Sequence, residues 1–367
     1  MTRGQGSAGG MRWSAICREV RRDVATGAAR TVLTAVALTA LLIGLAAGEV
    51  AAVRQAVRAA AAYRDAGAAV LTLAAPGRVD GAACAALADL DQVVAAGAIR
   101  AAPDPLAPAA LPRTTIPTTE VTPGLLAVLG IERTPAAGVV LSDQAVDALG
   151  TPIGSTLSLN TGSVEVTATY GWPSDGRRPG YGYAALLPVS PWGAFDECWV
   201  STWPVPTTIG SVLRTTLLPG EGRDQESPAV VSQLNTTLGA RFDGGTVFDG
   251  RLTRFAPWLS SGVALVIGFL SVRSRRAVIA GLLHDGVTAA ALIGIVGGEV
   301  ASWVVPSGLL ASSCAVIAAA VGPPEGMTAS IVLALRVILP SLVAAMLGAG
   351  IALAGIRERR LMIYVRE

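Results

Sequence analysis

The sequence predicts a membrane protein: four transmembrane α-helices, with a large α+β extracytoplasmic domain inserted between helices 1 and 2. Three observations predict it. The 367 residues are 52% hydrophobic and only 15% charged, where an average soluble domain is about 25% charged. Four runs are long and apolar enough to cross a bilayer, which takes about 20 residues. Arginines also gather at those run ends that would share one side of the membrane, and basic residues near spans mark the cytoplasmic side.

Residues 1–30 form a cytoplasmic segment. Arg3, Arg12, Arg18, Arg21, Arg22 and Arg30 precede the first span. Within that segment Trp13, Ile16, Val20 and Val24 recur at helical spacing while arginines occupy other faces, the pattern of an amphipathic helix lying in the membrane interface.

The first span is placed at 31–50, "TVLTAVALTALLIGLAAG" and its flank. Its opening resembles a secretory signal, but the arginine-bearing flank is long and the helical pattern continues into "EVAAVRQAVRAAAAYRDAG", so it reads as an uncleaved anchor. That continuation would make a rigid lever.

Residues 51–255 form the extracytoplasmic domain, with mixed, turn-rich composition. "AAVLTLAA" and "QVVAAGAIRAA" read as strands around a helix "DGAACAALADL", "LPRTTIPTTEVTP" as a Pro/Thr loop, and "SLNTGSVEVTATY" as a hairpin turning at Asn160 to Gly162. Of four cysteines, Cys17 falls inside and Cys314 within a span. Cys84 and Cys198 remain on the oxidising side and are expected to form a disulfide.

The second span is 256–272, with Pro257 suited to a first helical turn and Trp258 to the membrane interface. The cytoplasmic loop 273–286, "RSRRAVIAGLLHDG", follows. The third span, 287–321, is too long for one simple straight crossing and is expected to be interrupted near Pro306. A loop without basic residues at 322–330, a fourth span at 331–355 and a tail at 356–367 complete the chain. Arg357, Arg359, Arg360 and Arg366 in that tail put it inside, so both termini are cytoplasmic and the protein is multi-pass in the cell membrane.

Composition also limits the chemistry. All 28 basic residues are arginine, so this chain has neither the lysine of a P-loop nor the amine of a Schiff base. The only histidine is His284, which leaves little for His-built metal sites or a Ser-His-Asp triad. No catalytic or metal-binding residue is assigned, and the chain is not expected to be an enzyme. A net charge of +2 is too small to suggest nucleic acid.

Five pieces in order, Val121 to Pro123, Leu129 to Ile131, Val139 to Ser142, Leu149 with Gly150, and Gly154 to Leu159, resemble the outer domain of MacB-type ABC transporter permeases. The loop is similar to the "R.RRREIALLRALGA" of the FtsX-like permease domain at Arg273, Arg275, Arg276, Ile279, Ala280, Leu282 and Gly286, and Glu299 stands where that family often carries a glutamate. Two positions depart: Val278 replaces the usual acidic residue and Leu283 the usual basic one, which bears on partner preference rather than architecture.

The resemblance implies a permease subunit of a MacB/FtsX/LolCDE-like system. A separate cytoplasmic ABC ATPase would bind ATP and Mg, leaving no cofactor in this chain, and would drive the extracytoplasmic domain for export, extraction or signalling. The loop residues Arg273, Arg275, Arg276, Ile279, Leu282 and Gly286 become the ATPase-coupling set. A second permease subunit, in a homo- or heterodimer, membrane lipid and an extracytoplasmic protein are the other expected partners. The substrate is not legible.

Other positions are read from the residues alone. Glu299 falls near mid-bilayer and is either a packing contact or a conformational group. Gly294 with Gly298, and Gly350 with Ala354, have the spacing that lets helices approach closely. Arg336 can snorkel to the headgroups. The aromatic residues of "ATYGWPSDGRRPGYGY" and "SPWGAFDECWVSTWP" form either core or a binding surface, and Arg177 and Arg178 sit at a tip that could meet a partner. The alternatives are a membrane-anchored receptor without transport role, and an outward-facing hydrolase using Asp143 and Asp147.

Overall fold

The computed structural model describes residues 13–25, 31–110, 113–131, 137–219 and 228–356. Arg3, Arg12, Arg30 and the tail arginines Arg357, Arg359, Arg360 and Arg366 lie outside them. The chain divides into two compact units, Met1–Arg58 with Gly244–Glu367, and Ala59–Asp243.

Helix α1 covers Trp13–Ala25 and α2 covers Thr31–Asp65. α2 therefore continues well past the expected span end at residue 50, because Ala, Val, Arg and Gln beyond Gly48 are tolerated in helices and no proline or glycine stops it before Gly67.

The second unit is a sheet with short helices. β1 (Val70–Asp80) leads to α3 (Gly81–Ala86), whose N-cap Asp80 accepts from the backbone of Ala82 and Ala83. β2 (Val93–Ala101) and β3 (Thr118–Val121) follow, then α4 (Pro123–Val128), β4 (Val139–Ser142) and α5 (Asp143–Leu149). β5 (Thr156–Leu159), β6 (Gly162–Tyr170), β7 (Ala185–Pro188), β8 (Ala194–Thr202), α6 (Ile209–Arg214) and β9 (Val230–Gln233) complete it. β3 occupies the second half of what reads as a Pro/Thr loop; Thr and Val are strand formers, and pairing with β2 and β7 overrides the prolines beside them.

The order is β5-β6-β4-β7-β3-β2-β8-β1-β9. β2, β8 and β1 are antiparallel neighbours toward the β9 edge, while β3 with β7 and β4 with β6 are parallel. The middle of β2 is continuously buried, as expected of a strand covered on both faces. On one face Cys84, Ala96, Ala98, Cys198 and Val200 pack together, and on the other Ile99, Val121, Leu125 and Trp199 do. α4 lies directly on β2: a Cβ on Gly97 would overlap the backbone of Leu125, and one on Gly124 the carbonyl of Ala96. Cys84 and Cys198 form the expected disulfide, joining α3 to β8 with Cα atoms 5.8 Å apart.

The remaining helices are α7 (Gly244–Asp249), α8 (Ala256–Arg273), α9 (Arg276–His284), α10 (Ala289–Ala320) and α11 (Met327–Ala354). Among the described residues four helical segments are long and apolar enough to cross a membrane: Thr31–Asp65, Leu252–Arg273, Ala289–Ala320 and Pro324–Ala354. α8 and α11 meet through small residues. Ser260, Ala264, Gly268 and Val272 recur every fourth position on the buried face of α8, a Cβ on Gly268 would run into the Ala345 carbonyl, and one on Gly348 into that of Leu265. Lipid tails are as apolar as leucine, so such close approach rather than hydrophobic burial drives helices together in a membrane. Gly350, in contrast, is exposed, and a Cβ there would meet nothing within 4 Å in the same chain.

The expected interruption at Pro306 does not occur; α10 runs through it. In lipid a broken helix leaves backbone groups without partners, so the helix is kept despite the missing N–H. Ser307 Oγ lies 2.7 Å from the Trp303 carbonyl and 3.2 Å from that of Ala35 in α2. Pro340 inside α11 repeats the arrangement, with Ser341 Oγ donating to the Val337 carbonyl at 2.7 Å.

Candidate functional site

The predicted coupling loop is a short helix with two unlike faces. α8 ends at Arg273, Ser274 and Arg275 form a tight turn, and α9 begins at Arg276. Ile279 and Ala280 are buried, and Ile279, Leu282 and Leu283 pack with Val272, Leu292 and Val296 of the membrane unit. At 100° per residue Val278, Gly281 and Asp285 lie on the opposite face. Val278 is 56% exposed and a Cβ on Gly281 would meet nothing within 4 Å. α9 ends in a Schellman motif: Val287 N donates to the Leu282 carbonyl and Gly286 N to that of Leu283, with Gly286 at φ +86°. Glycine adopts that conformation without the Cβ clash other residues suffer, which suits Gly286 to the cap.

The three arginines of the cluster have separate fates. Arg275 turns inward, with its side chain 13% exposed. Its Nη1 donates to Glu299 Oε2 at 2.6 Å and its Nη2 to Asp23 Oδ2 at 3.1 Å. One guanidinium thus ties α1, the turn before α9, and α10 together. Arg273 is exposed and its guanidinium approaches the Phe269 ring at 5.8 Å. Arg276 is half-buried. Burial works to raise the Asp23 carboxyl, but the side-chain hydrogen bonds it shares with Glu299 and Arg275, together with the Arg275 charge, hold it below the usual carboxylate range.

Glu299 is buried and lies ten residues beyond the start of α10, about 15 Å along the axis. It is a partnered member of an ionic cluster, not an isolated group. Gly298 beside it admits α1: a Cβ there would come within 2.9 Å of Val20 Cγ2. The inner face of α1, with Ile16 buried and Val20 and Asp23 half-buried, therefore contacts protein, while Arg18, Arg21 and Arg22 remain exposed. The sequence named Glu299, Arg275 and Gly298 separately; only the structure joins them to Asp23.

The other end of the same unit carries a second set of ties. Glu49, 2% exposed, accepts from Arg251 Nε at 3.3 Å, and Arg54 donates to the Ala318 carbonyl in the last turn of α10, where a cation suits the helix dipole. Arg336 is exposed on α11.

In the sheet unit the aromatic residues are mostly core. Trp172, Tyr181 and Trp199 have ring centroids 5.0 to 6.3 Å apart, Trp199 is 1% exposed, and burial pushes the Tyr170 and Tyr181 phenols up. Arg178, read as a tip, instead lies over the rings of Trp199 and Tyr181 and donates to Glu197 Oε2 at 2.6 Å. Arg177 pairs with Asp175 at 3.1 Å and donates to the Asp65 carbonyl. Trp192 alone of these tryptophans is strongly exposed, at 76%. Among the described residues no group of His, Cys, Asp or Glu is arranged to hold a metal ion.

No protein-family model matches the chain, and neither does any curated protein. Among solved structures the periplasmic region of MacB from Actinobacillus actinomycetemcomitans is similar, at 13% sequence identity, covering 42% of this chain and 85% of that one, with a TM-score of 0.33.

Proposed function

We propose that this chain is the permease subunit of an ABC transporter, coupling ATP hydrolysis in a separate subunit to conformational change of its extracytoplasmic domain. The observation that carries the reading is α9: a short helix between two spanning helices, fixed to the membrane unit along one face and open along the other. Such a helix can seat in a groove of a soluble partner. The order of one span, an inserted sheet domain and three further spans supports it, as do the five sequence pieces of the MacB-type outer domain and the arginine-led loop. In this reading the arginine-bearing side is cytoplasmic, the ATPase partner binds ATP and Mg, and two permease subunits assemble.

The geometry revises which loop residues would touch that partner. Val278, Gly281 and Asp285 form the outward face, whereas Arg275 and Ile279 hold the helix in place. Co-expression with an ABC ATPase from the same genome should, for the cognate partner, give a stable complex whose ATP hydrolysis exceeds that of the ATPase alone. Val278→Arg, which reverses the charge usual at that position, is expected to reduce that stimulation about tenfold, the loss of roughly 1.4 kcal/mol of docking energy, while Arg336→Gln leaves it intact. Equal stimulation by both variants would remove α9 as the docking element. A chain that binds an extracytoplasmic ligand but no ATPase would favour the receptor alternative.

A further inference from the structure

Between α2, α8 and the start of α9 lies a groove of about 650 Å³, within the size range of specific ligand sites. Leu33, Ala37, Ile267 and Leu270 form its wall, and Arg273 and Arg276 its lip. We propose that it binds one anionic phospholipid, acyl chains along the wall and phosphate on the two guanidiniums.

Three considerations fix the occupant. The wall belongs to spanning helices, with Leu33 67% and Leu270 56% exposed, so the groove opens where lipid tails are and a soluble protein is not. Among the described residues none that lines it is acidic, and Arg273 makes no ion pair there, whereas Arg275 is already neutralised by Asp23 and Glu299. Guanidinium matches phosphate in planar, two-pronged geometry. A second copy is disfavoured by charge, because a two-fold contact apposes the same patch on both subunits and would bring arginine lip against arginine lip. Basic pockets between spanning helices are the expected form of an anionic headgroup site. This inference does not depend on an ATPase partner, so it stands or falls apart from the proposed transport role.

The test uses the full chain in detergent with equimolar phosphatidylglycerol and phosphatidylcholine, the retained lipid being counted by native mass spectrometry. The expected result is preferential retention of one phosphatidylglycerol. Arg273→Gln with Arg276→Gln should reduce the preference by about fivefold per arginine. Ala37→Trp, at an exposed position, should fill the groove and abolish retention with both arginines in place, and Arg336→Gln should change nothing. Equal retention of both lipids by the unaltered chain would overturn the proposal without recourse to any variant. So would an unchanged preference after both arginine substitutions, or displacement of the lipid by glycerol phosphate at equal concentration, which would make this a free-phosphate site. Leu270→Cys cross-linking between copies, in a background lacking Cys17 and Cys314 and undiminished by phosphatidylglycerol, would assign the groove to a second copy instead.

Discussion

The sheet unit and the membrane unit solve the same problem with opposite side chains. In the core of the sheet unit Phe195, Trp199, Leu73 and Ile99 are fully or almost fully buried, and burying large apolar groups away from water is the main stabilising term. At the α8–α11 contact the buried residues are Ser260, Ala264, Gly268, Ala345 and Gly348, while Leu270, Leu339, Leu347 and Ile351 face outward. Large apolar residues gain nothing by leaving lipid, so at this contact they stay outside and the backbones come together instead. Charge follows the same division: Arg100 with Glu120 is a partly exposed pair on the sheet, whereas Arg275, Asp23 and Glu299 share a mostly buried cluster.

The sharpest way to break this comparison is through the disulfide, which serves only the sheet unit. Cys84 and Cys198 enclose 114 residues of separation, and losing such a cross-link costs about 4–5 kcal/mol by chain entropy. The double Ser variant should show that loss in denaturant unfolding followed by tryptophan fluorescence, with far-UV helicity of the membrane unit retained. Next in size, Gly268→Leu or Gly348→Leu should destabilise the membrane unit by about 3 kcal/mol or more, since overpacking costs about 1–3 kcal/mol even where side chains can yield and here backbone stands in the way. Gly350→Leu should stay within about 0.5 kcal/mol. Resistance to unfolding in mixed detergent micelles would separate them, and similar losses for Gly268 and Gly350 would refute the small-residue account.

A smaller effect tests the ionic cluster. Arg275→Met leaves two carboxylates facing each other and should cost about 2–3 kcal/mol, below the roughly 3–5 kcal/mol of a fully buried broken pair. Adding Glu299→Met should recover part of it, and faster amide exchange in α1 would report the single variant. The least effect is expected from pH. Because the Asp23 carboxyl is held below its usual range, its stabilising contribution is complete above the ordinary aspartate pKa and is lost progressively as pH falls from there through the lowered value. Amide protection of α1 should therefore hold down to the normal titration range of aspartate and decline below it; loosening already above that range would show that Asp23 is not held as described.

The spans, the insertion between the first two and several sheet strands were legible because hydropathy, arginine placement and period-two patterns are local signals. The cysteine pair was legible by compartment. The path of α10 through Pro306 was not, because intolerance of proline is a rule for helices in water, whereas in lipid breaking the helix would cost more than the one missing N–H. Asp23 and Arg275 are separated by 252 positions, and no periodicity announces such a partner; Arg178 with Glu197 was missed for the same reason. The small-residue face of α8 was readable, since Ser260, Ala264 and Gly268 repeat every four residues, but that spacing is common in alanine-rich helices and Gly350 with Ala354 stood out equally.

The contact of α8 with α11 also governs how the membrane unit can deform. With Gly268 against the Ala345 carbonyl and Gly348 against that of Leu265, no long side chain stands between the two backbones to change rotamer and act as a bearing. Sliding one helix along the other would drive main chain into main chain, so the pair behaves as a single plank. Any stroke carried by this unit must then be taken up at the edges of that plank, where α2, α9 and α10 meet it.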